Sequence, residues 1–191
     1  MKALLGCMHP RRLDYFIKSV RAIDYMDVVL ANNYPLLDAQ KQIIKFFLEN
    51  GYNVLVFTSD DTIIPYNAPR GIVEDILRTG YKIVTGWSKC RPNRPEANIT
   101  IKPPAGIDRM KDRPVFYEQY NFLTETDIRN LLNKGKQFVP VWFVGWSLTG
   151  MTRSIVEQWR PAGWFFQHTP PFHYTHKGRK GFWTSSDLWF S

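Results

Sequence analysis

Two adjacent carboxylates, Asp60 and Asp61, stand directly after Asn53–Thr58 (NVLVFT), the most apolar short run in the first half of the chain. At the end of a buried strand, two such groups repel each other unless a cation or hydrogen-bond donors neutralise them. A hard divalent ion with oxygen ligands is the natural neutraliser, and a nucleoside diphosphate supplies the remaining ligands, as magnesium-type sites commonly arrange. The plain alternative is a turn in which one aspartate caps and the other is solvated. Thiol chemistry has little to work with: Cys7 and Cys90 are the only cysteines. They form no CxxC or Cys/His metal spacing and read as reduced thiols, which sets aside zinc-ribbon and redox-enzyme chemistry.

The elements around this pair repeat one rhythm, an apolar run, a punctuating residue, a helical pattern, then another apolar run. Residues 2–8 (KALLGCM) read as a buried strand and His9-Pro10 as its turn. A helix follows over 11–23, with Leu13, Phe16, Ile17 and Val20 on one face. A second strand spans 26–31. Asn32 and Asn33 turn the chain into a helix begun by Pro35, lined by Leu36, Ile43, Ile44, Phe47 and Leu48 and closed by Asn50-Gly51. The run 53–58 is the central strand, 69–79 a third helix and 82–85 a fourth strand. Strands and helices so spaced predict right-handed crossovers and a doubly wound, mostly parallel sheet, with ligands at its carboxyl edge. His9 to Arg11, Asn32, Asn33, Ser59 to Asp61 and the stretch from Gly86 fall on that edge.

Beyond Trp87 the rhythm breaks. Pro92, Pro95, Pro103 and Pro104 surround the alternating run 98–102, an edge strand or hairpin arm. A short helix is predicted over 126–132, a strand over 137–146 with Pro140 at a sheet edge or bend, and a helix over 149–159. Phe165-Phe166 reads as a short strand and 176–181 (HKGRKG) as a basic loop. Neither an internal repeat nor a low-complexity tract is present.

The chain has 191 residues, 44% of them hydrophobic, 15% aromatic and 22% charged, which suits one folded domain and not a disordered segment. No run of about 18 uncharged apolar residues occurs, and the first residues are too short an apolar stretch for a secretory signal, so a cytoplasmic location is expected. The net charge of +8 favours phosphate-bearing partners, whether nucleic acid, a nucleotide-linked substrate or an anionic membrane face. It does not choose among them.

From Val54 to Pro65 (VLVFTSDDTIIP) the chain resembles the strand-end DxD region of GT-A-fold glycosyltransferases, and the order of the preceding elements is similar to theirs. The resemblance covers 2–86, loosens through the middle and returns at Val144–Glu157 and at the C-terminus. It is to the small enzymes of this kind found in viruses of thermophilic archaea, which would make the location the host cytoplasm. It implies a GT-A fold over one domain, 1–191: a Rossmann-like, mostly parallel twisted sheet flanked by helices. The nucleotide-binding half would be 1–86, and the smaller antiparallel or irregular acceptor-side half 87–191.

The function so implied is a metal-dependent glycosyltransferase that moves a sugar from a nucleoside-diphosphate donor to a glycan, glycoprotein or lipid-linked acceptor hydroxyl. The resemblance implies that Asp61 binds Mn²⁺ or Mg²⁺ at the diphosphate, that Asp60 supports it, and that the Ser59 hydroxyl takes the place of the usual first carboxylate, toward the ribose. A shifted register makes Asp60 the metal ligand. His9, Pro10 and Arg11 match the loop that meets base and diphosphate, and Asn32 the polar position against the base edge. Asp187, in Thr184–Phe190 (TSSDLWF), matches the general base of inverting members, with Ser186 in place of the preceding acid. Trp146 and Arg153 match the segment lining the sugar and acceptor pocket, Trp146 to stack on a sugar ring and Arg153 to reach phosphate or hold the helix end, and His168, His173 and His176 are further metal or phosphate candidates. Each has a plain reading too: Pro10 and Asn32 as turn residues, Arg11 as a solvated cation, Asp187 as a helix cap, Trp146 and Arg153 as packing.

Three rivals stand beside this. A nucleic-acid-binding protein accounts for the charge and the aromatics but not for an acidic pair at the ligand edge. A nucleotidyltransferase of related fold would need a glycine-rich phosphate loop after the first strand, which is missing. An inactive relative that only binds glycans or lipid headgroups fits the serine at 59. Nucleic acid is therefore not expected as the main partner, and the basic, aromatic stretch 159–189 suits peripheral contact with an anionic membrane.

Overall fold

In the computed structural model the described residues are 1–8, 14–32, 36–89, 95–101, 122–141, 143–144, 147–162, 172–176 and 179–183. Strands β1 (Ala3–Met8) and β3 (Val54–Ser59) are apolar along nearly their whole length, as strands covered on both faces must be. They lie side by side at the centre of a five-stranded sheet of order β2-β1-β3-β7-β4, completed by β2 (Asp27–Ala31), β4 (Ile83–Thr85) and β7 (Thr149–Thr152). β1 pairs in parallel with β2 and with β3. β7 is antiparallel to both β3 and β4, so β4 runs the same way as β3. The sheet is thus mostly parallel and flanked by helices, as expected, with β7 its one reversed strand.

Helix α1 (Asp14–Arg21) follows β1, α2 (Leu36–Glu49) follows β2 and α3 (Ala68–Thr79) follows β3. The buried stripe of α2 is Ala39, Gln40, Ile43, Ile44 and Phe47, the spacing of one helix face. Two glycines permit the closest approach of helices to strands. A methyl group on Gly6 would overlap Cγ2 of Ile43, and one on Gly150 would overlap Cγ2 of Ile72. Gly6 is paired with Phe57 and Gly150 with Val56, so the two glycines face opposite sides of the sheet. α2 therefore covers one face and α3 the other. Phe47 and Phe57 are fully buried in this packing, each contributing about 1.5–3 kcal/mol of burial free energy.

The chain divides into two compact units, Met1–Gly86 with Trp146–Gln167, and Trp87–Gly145 with His168–Ser191. In the second unit, β5 (Ile99–Thr100) pairs antiparallel with β6 (Phe143–Val144). Ala97, Ile99 and Ile128 form a small core with Leu123 and Val141 packed on it. Helix α4 (Glu125–Asn133) starts on a capping box: Thr124 Oγ1 accepts from the Asp127 amide at 3.2 Å, and the Asp127 carboxylate accepts from the Thr124 amide at 2.9 Å. β8 (Phe172–His176) and β9 (Arg179–Trp183) form an antiparallel hairpin.

Three expectations are corrected. Residues 149–152 are a strand and not the first turn of a helix, because the slot between β3 and β4 supplies ladder partners on both sides; helix α5 begins only at Arg153 (Arg153–Ala162). Among the described residues of the strand expected over 137–146, only Phe143–Val144 pairs, and Pro140 has no amide to offer a ladder. The expected loop 176–181 instead contributes His176 to β8 and Arg179 to Gly181 to β9. The expected strand Phe165-Phe166 lies outside the described residues.

Candidate functional site

The connection from β1 leads to β2 on one side, and the connection from β2 leads back past β1 to β3 on the other. The sheet therefore reverses its winding between β1 and β3, and ligands of open α/β sheets bind at the carboxyl ends of such strands. Register sets what stands there. Ala31, Met8 and Ser59 form one row across β2, β1 and β3, so Asn32 and Asp60 leave the sheet about two strand spacings apart, ~10 Å.

The acidic turn itself is well defined. The Thr62 amide donates to the Ser59 carbonyl at 3.3 Å, and the Ser59 hydroxyl donates to Asp61 Oδ1 in a short hydrogen bond. The two aspartates differ in surroundings: Asp60 is only 1% exposed, whereas Asp61 is exposed. A buried carboxylate is held by partners inside the protein, while an exposed one with a fixed rotamer can meet a ligand. Beneath the turn, Thr58 Oγ1 donates to the Ser147 carbonyl at 2.8 Å and ties the end of β3 to the residues entering β7.

Beyond the turn, the segment 62–67 is strapped to α1 and the chain after it. The Ile64 amide donates to Ser19 Oγ at 3.3 Å, the Tyr66 hydroxyl to Asp24 at 2.7 Å, and the Tyr25 hydroxyl to the Tyr66 carbonyl. Arg70 lies 4.0 Å over the Tyr25 ring. The carboxylates therefore project from an anchored loop. These straps pair residues some 40 positions apart in the sequence, and no local spacing marks them.

Of the residues expected at the site, Asn32, Ser59, Asp60 and Asp61 share this edge. Arg153 does not. It follows Thr152, which pairs with Val54 at the start of β3, so it sits at the opposite, amino edge of the sheet. There its guanidinium donates to the carbonyls of Leu48 and Tyr52, both at 3.1 Å, and to Glu157 at 2.6 Å. Its charge serves the Leu48 carbonyl in the last turn of α2 and the Tyr52 carbonyl just before β3. His9, Pro10, Arg11, Trp146, His168, Asp187 and Cys90 lie outside the described residues, as do the side chains of His173 and His176.

Gln40 went unremarked in the sequence. It is 1% exposed on the buried stripe of α2, and among the described residues nothing hydrogen-bonds its Oε1. A lone amide one turn before Ile43 and Ile44 on an apolar stripe is the signal that could have found it.

Among the described residues no group of three or more His, Cys, Asp or Glu side chains could hold a metal ion. A divalent ion at this edge would draw on Asp61 and take most of its ligands from substrate phosphates and water, a pattern usual for magnesium. Among the described residues, too, no helix is long and apolar enough to cross a membrane.

No protein-family model and no curated protein matches this chain. Among solved structures, the crystal structure of A197 from STIV is similar at a TM-score of 0.49, with 16% identity over 83% of this chain and 68% of that one. Fold and site by themselves define the class: a mixed α/β protein whose mostly parallel sheet carries an anchored acidic turn at its switch point.

Proposed function

We propose that this chain is a metal-dependent glycosyltransferase of GT-A type, transferring a sugar from a nucleoside-diphosphate donor to an acceptor hydroxyl by a single inverting displacement. The observation that carries the reading is the acidic turn: an exposed Asp61 fixed by Ser59 and backed by a buried Asp60, on the carboxyl edge where an α/β sheet takes nucleotides. The difference in exposure favours Asp61 over Asp60 as the ligand of a Mn²⁺ or Mg²⁺ ion. Such an ion, when bound, offsets the charge of the departing diphosphate.

The chain's own residues then have separate tasks. Ser59 holds the Asp61 carboxylate in one rotamer, so little freedom is lost on binding. Asn32, exposed and about two strand spacings away, offers an amide to the base edge. Asp187 is the proposed general base. The acceptor oxygen attacks the anomeric carbon, the bond from that carbon to the diphosphate oxygen breaks with its electron pair leaving on the diphosphate, and the acceptor proton passes to the Asp187 carboxylate. Glycans, glycoproteins and lipid-linked sugars are the proposed acceptors.

Calorimetric titration of UDP, GDP, CDP and ADP, with and without Mn²⁺, tests this on the wild type and on Asp61→Ala. Binding of one nucleotide that requires the metal and is lost in the variant is the expected result. Metal-independent binding, or none, would overturn it.

A further inference from the structure

Among the described residues Gln40 Oε1 is an acceptor without a donor, in a residue only 1% exposed. Leaving such an atom unpaired is costly, and native proteins rarely do so without a reason. Its location supplies one. α2 runs from the carboxyl end of β2 back toward the amino end of β3, and Ile43 lies against Gly6 of β1. Three residues earlier, ~4.5 Å nearer the carboxyl edge, Gln40 lies beyond the level of Gly6 toward that of Met8, the β1 residue paired with both Ala31 and Ser59. Helical Cα–Cβ bonds tilt toward the helix N-terminus, so the Gln40 side chain leaves α2 toward the carboxyl edge of the sheet, the edge that carries Asn32 and Asp61.

Resting on the nucleotide-binding reading above, we propose that Gln40 is a specificity-determining residue whose amide oxygen accepts a hydrogen bond from the nucleoside of the bound donor. The donor group is either a ribose hydroxyl or a base N–H, the two kinds of donor a nucleoside carries. With its diphosphate at Asp61 and its base toward Asn32, the nucleoside lies along the stretch of edge that Gln40 underlies. The orphan acceptor is then a cost borne by the free protein and relieved on binding, as sites built to recognise one hydrogen-bonding ligand do.

The test compares the wild type with Gln40→Met, which keeps the volume and removes the amide. For the variant, the thermal midpoint without nucleotide rises by about 2–4 °C, and the Kd of the nucleotide selected by the wild type weakens about tenfold. The matching 2′-deoxy and 3′-deoxy nucleotides separate the two sources. If a ribose hydroxyl is the donor, one of them binds the wild type about tenfold more weakly and the variant no worse than its parent does. If both bind the wild type normally, the base is the donor. An unchanged Kd in Gln40→Met, or a variant that is less stable or unfolded, overturns the proposal while leaving the nucleotide-binding reading in place. Failure of the wild type to bind any nucleotide with Mn²⁺ overturns both.

Discussion

Replacing Arg153 with methionine should weaken the fold and leave nucleotide binding untouched. The guanidinium donates to two backbone carbonyls, Leu48 and Tyr52, each at 3.1 Å, at the end of α2 and just before β3. Hydrogen bonds from a charged donor are worth about 1.5–3 kcal/mol each. The side chain is 32% exposed, so solvent screens part of that, and the pair sums to about 2–3 kcal/mol with the favourable position at a helix C-terminus included. The ion pair with Glu157, itself about half exposed, adds only a few tenths. Methionine keeps an aliphatic stem toward Phe47, whose ring lies 5.9 Å from the guanidinium, so the loss is confined to the polar part. At 2–4 °C per kcal/mol for a chain of this size, the thermal midpoint should fall by about 4–12 °C. Differential scanning calorimetry reads this, with Glu157→Gln as a control that moves by no more than about 1–2 °C. A midpoint unchanged by Arg153→Met, or a loss of nucleotide affinity comparable with that of Asp61→Ala, would refute the assignment of this arginine to the frame.

Gly150→Ala should destabilise by about 1–3 kcal/mol, because its methyl group would overlap Ile72 and lie 3.0 Å from Ile76 Cδ1; Ile72→Ala in the same chain should recover part of the loss in a urea melt. Burial pushes the Cys7 thiol well above its ordinary range, so in a Cys90→Ser background a thiol reagent should label Cys7 only after the protein unfolds. In the second unit, hydrogen bonds from Lys89 and then Arg129 hold Glu125 at about 2, down from an ordinary 4.5. A lowered carboxylate contributes stability above its unfolded pKa and loses it as the pH falls through the folded one, so acid unfolding should acquire a component between pH 4.5 and 2 that Glu125→Gln removes.

The elements legible in the sequence are those whose own residues decide them. β1 and β3 show as unbroken apolar runs because both of their faces are covered, and α2 shows as a stripe because only one of its faces is. β7 was hidden for the opposite reason. Thr149 to Thr152 continues without a break into Ile155 and Val156, and four residues are too few to separate a period of 2 from one of 3.6. What makes them a strand is the gap between β3 and β4, with Gly150 small enough to admit Ile72, and both of those are contacts with distant chain. Arg153 is undecided in the sequence in the same way. An arginine at that spacing suits a phosphate or a helix end, and only the pairing of Thr152 with Val54 places it at the edge of the sheet away from Asp61, beside the end of α2.

The acidic pair carries the same lesson into chemistry. In the sequence the two carboxylates are told apart only by the register of a resemblance, and their mutual repulsion is the argument for a cation. In the fold they are unlike: Asp60 is enclosed, and Asp61 is exposed and pinned by the hydroxyl of Ser59. A serine at that position thus has a role of its own besides taking the place of a carboxylate, since it donates a proton where a third acid would add a third repelling charge. That lets the turn keep two acidic residues beside a buried strand end, with Asp61 alone of the pair exposed, as the proposed cation site requires. Ser59→Ala should accordingly weaken metal-dependent nucleotide binding several-fold by freeing the Asp61 rotamer, with little change in stability, since the residue lies only partly buried at the end of β3. Equal affinities for the wild type and the variant in the same titration would show that the hydroxyl does not position Asp61 for binding.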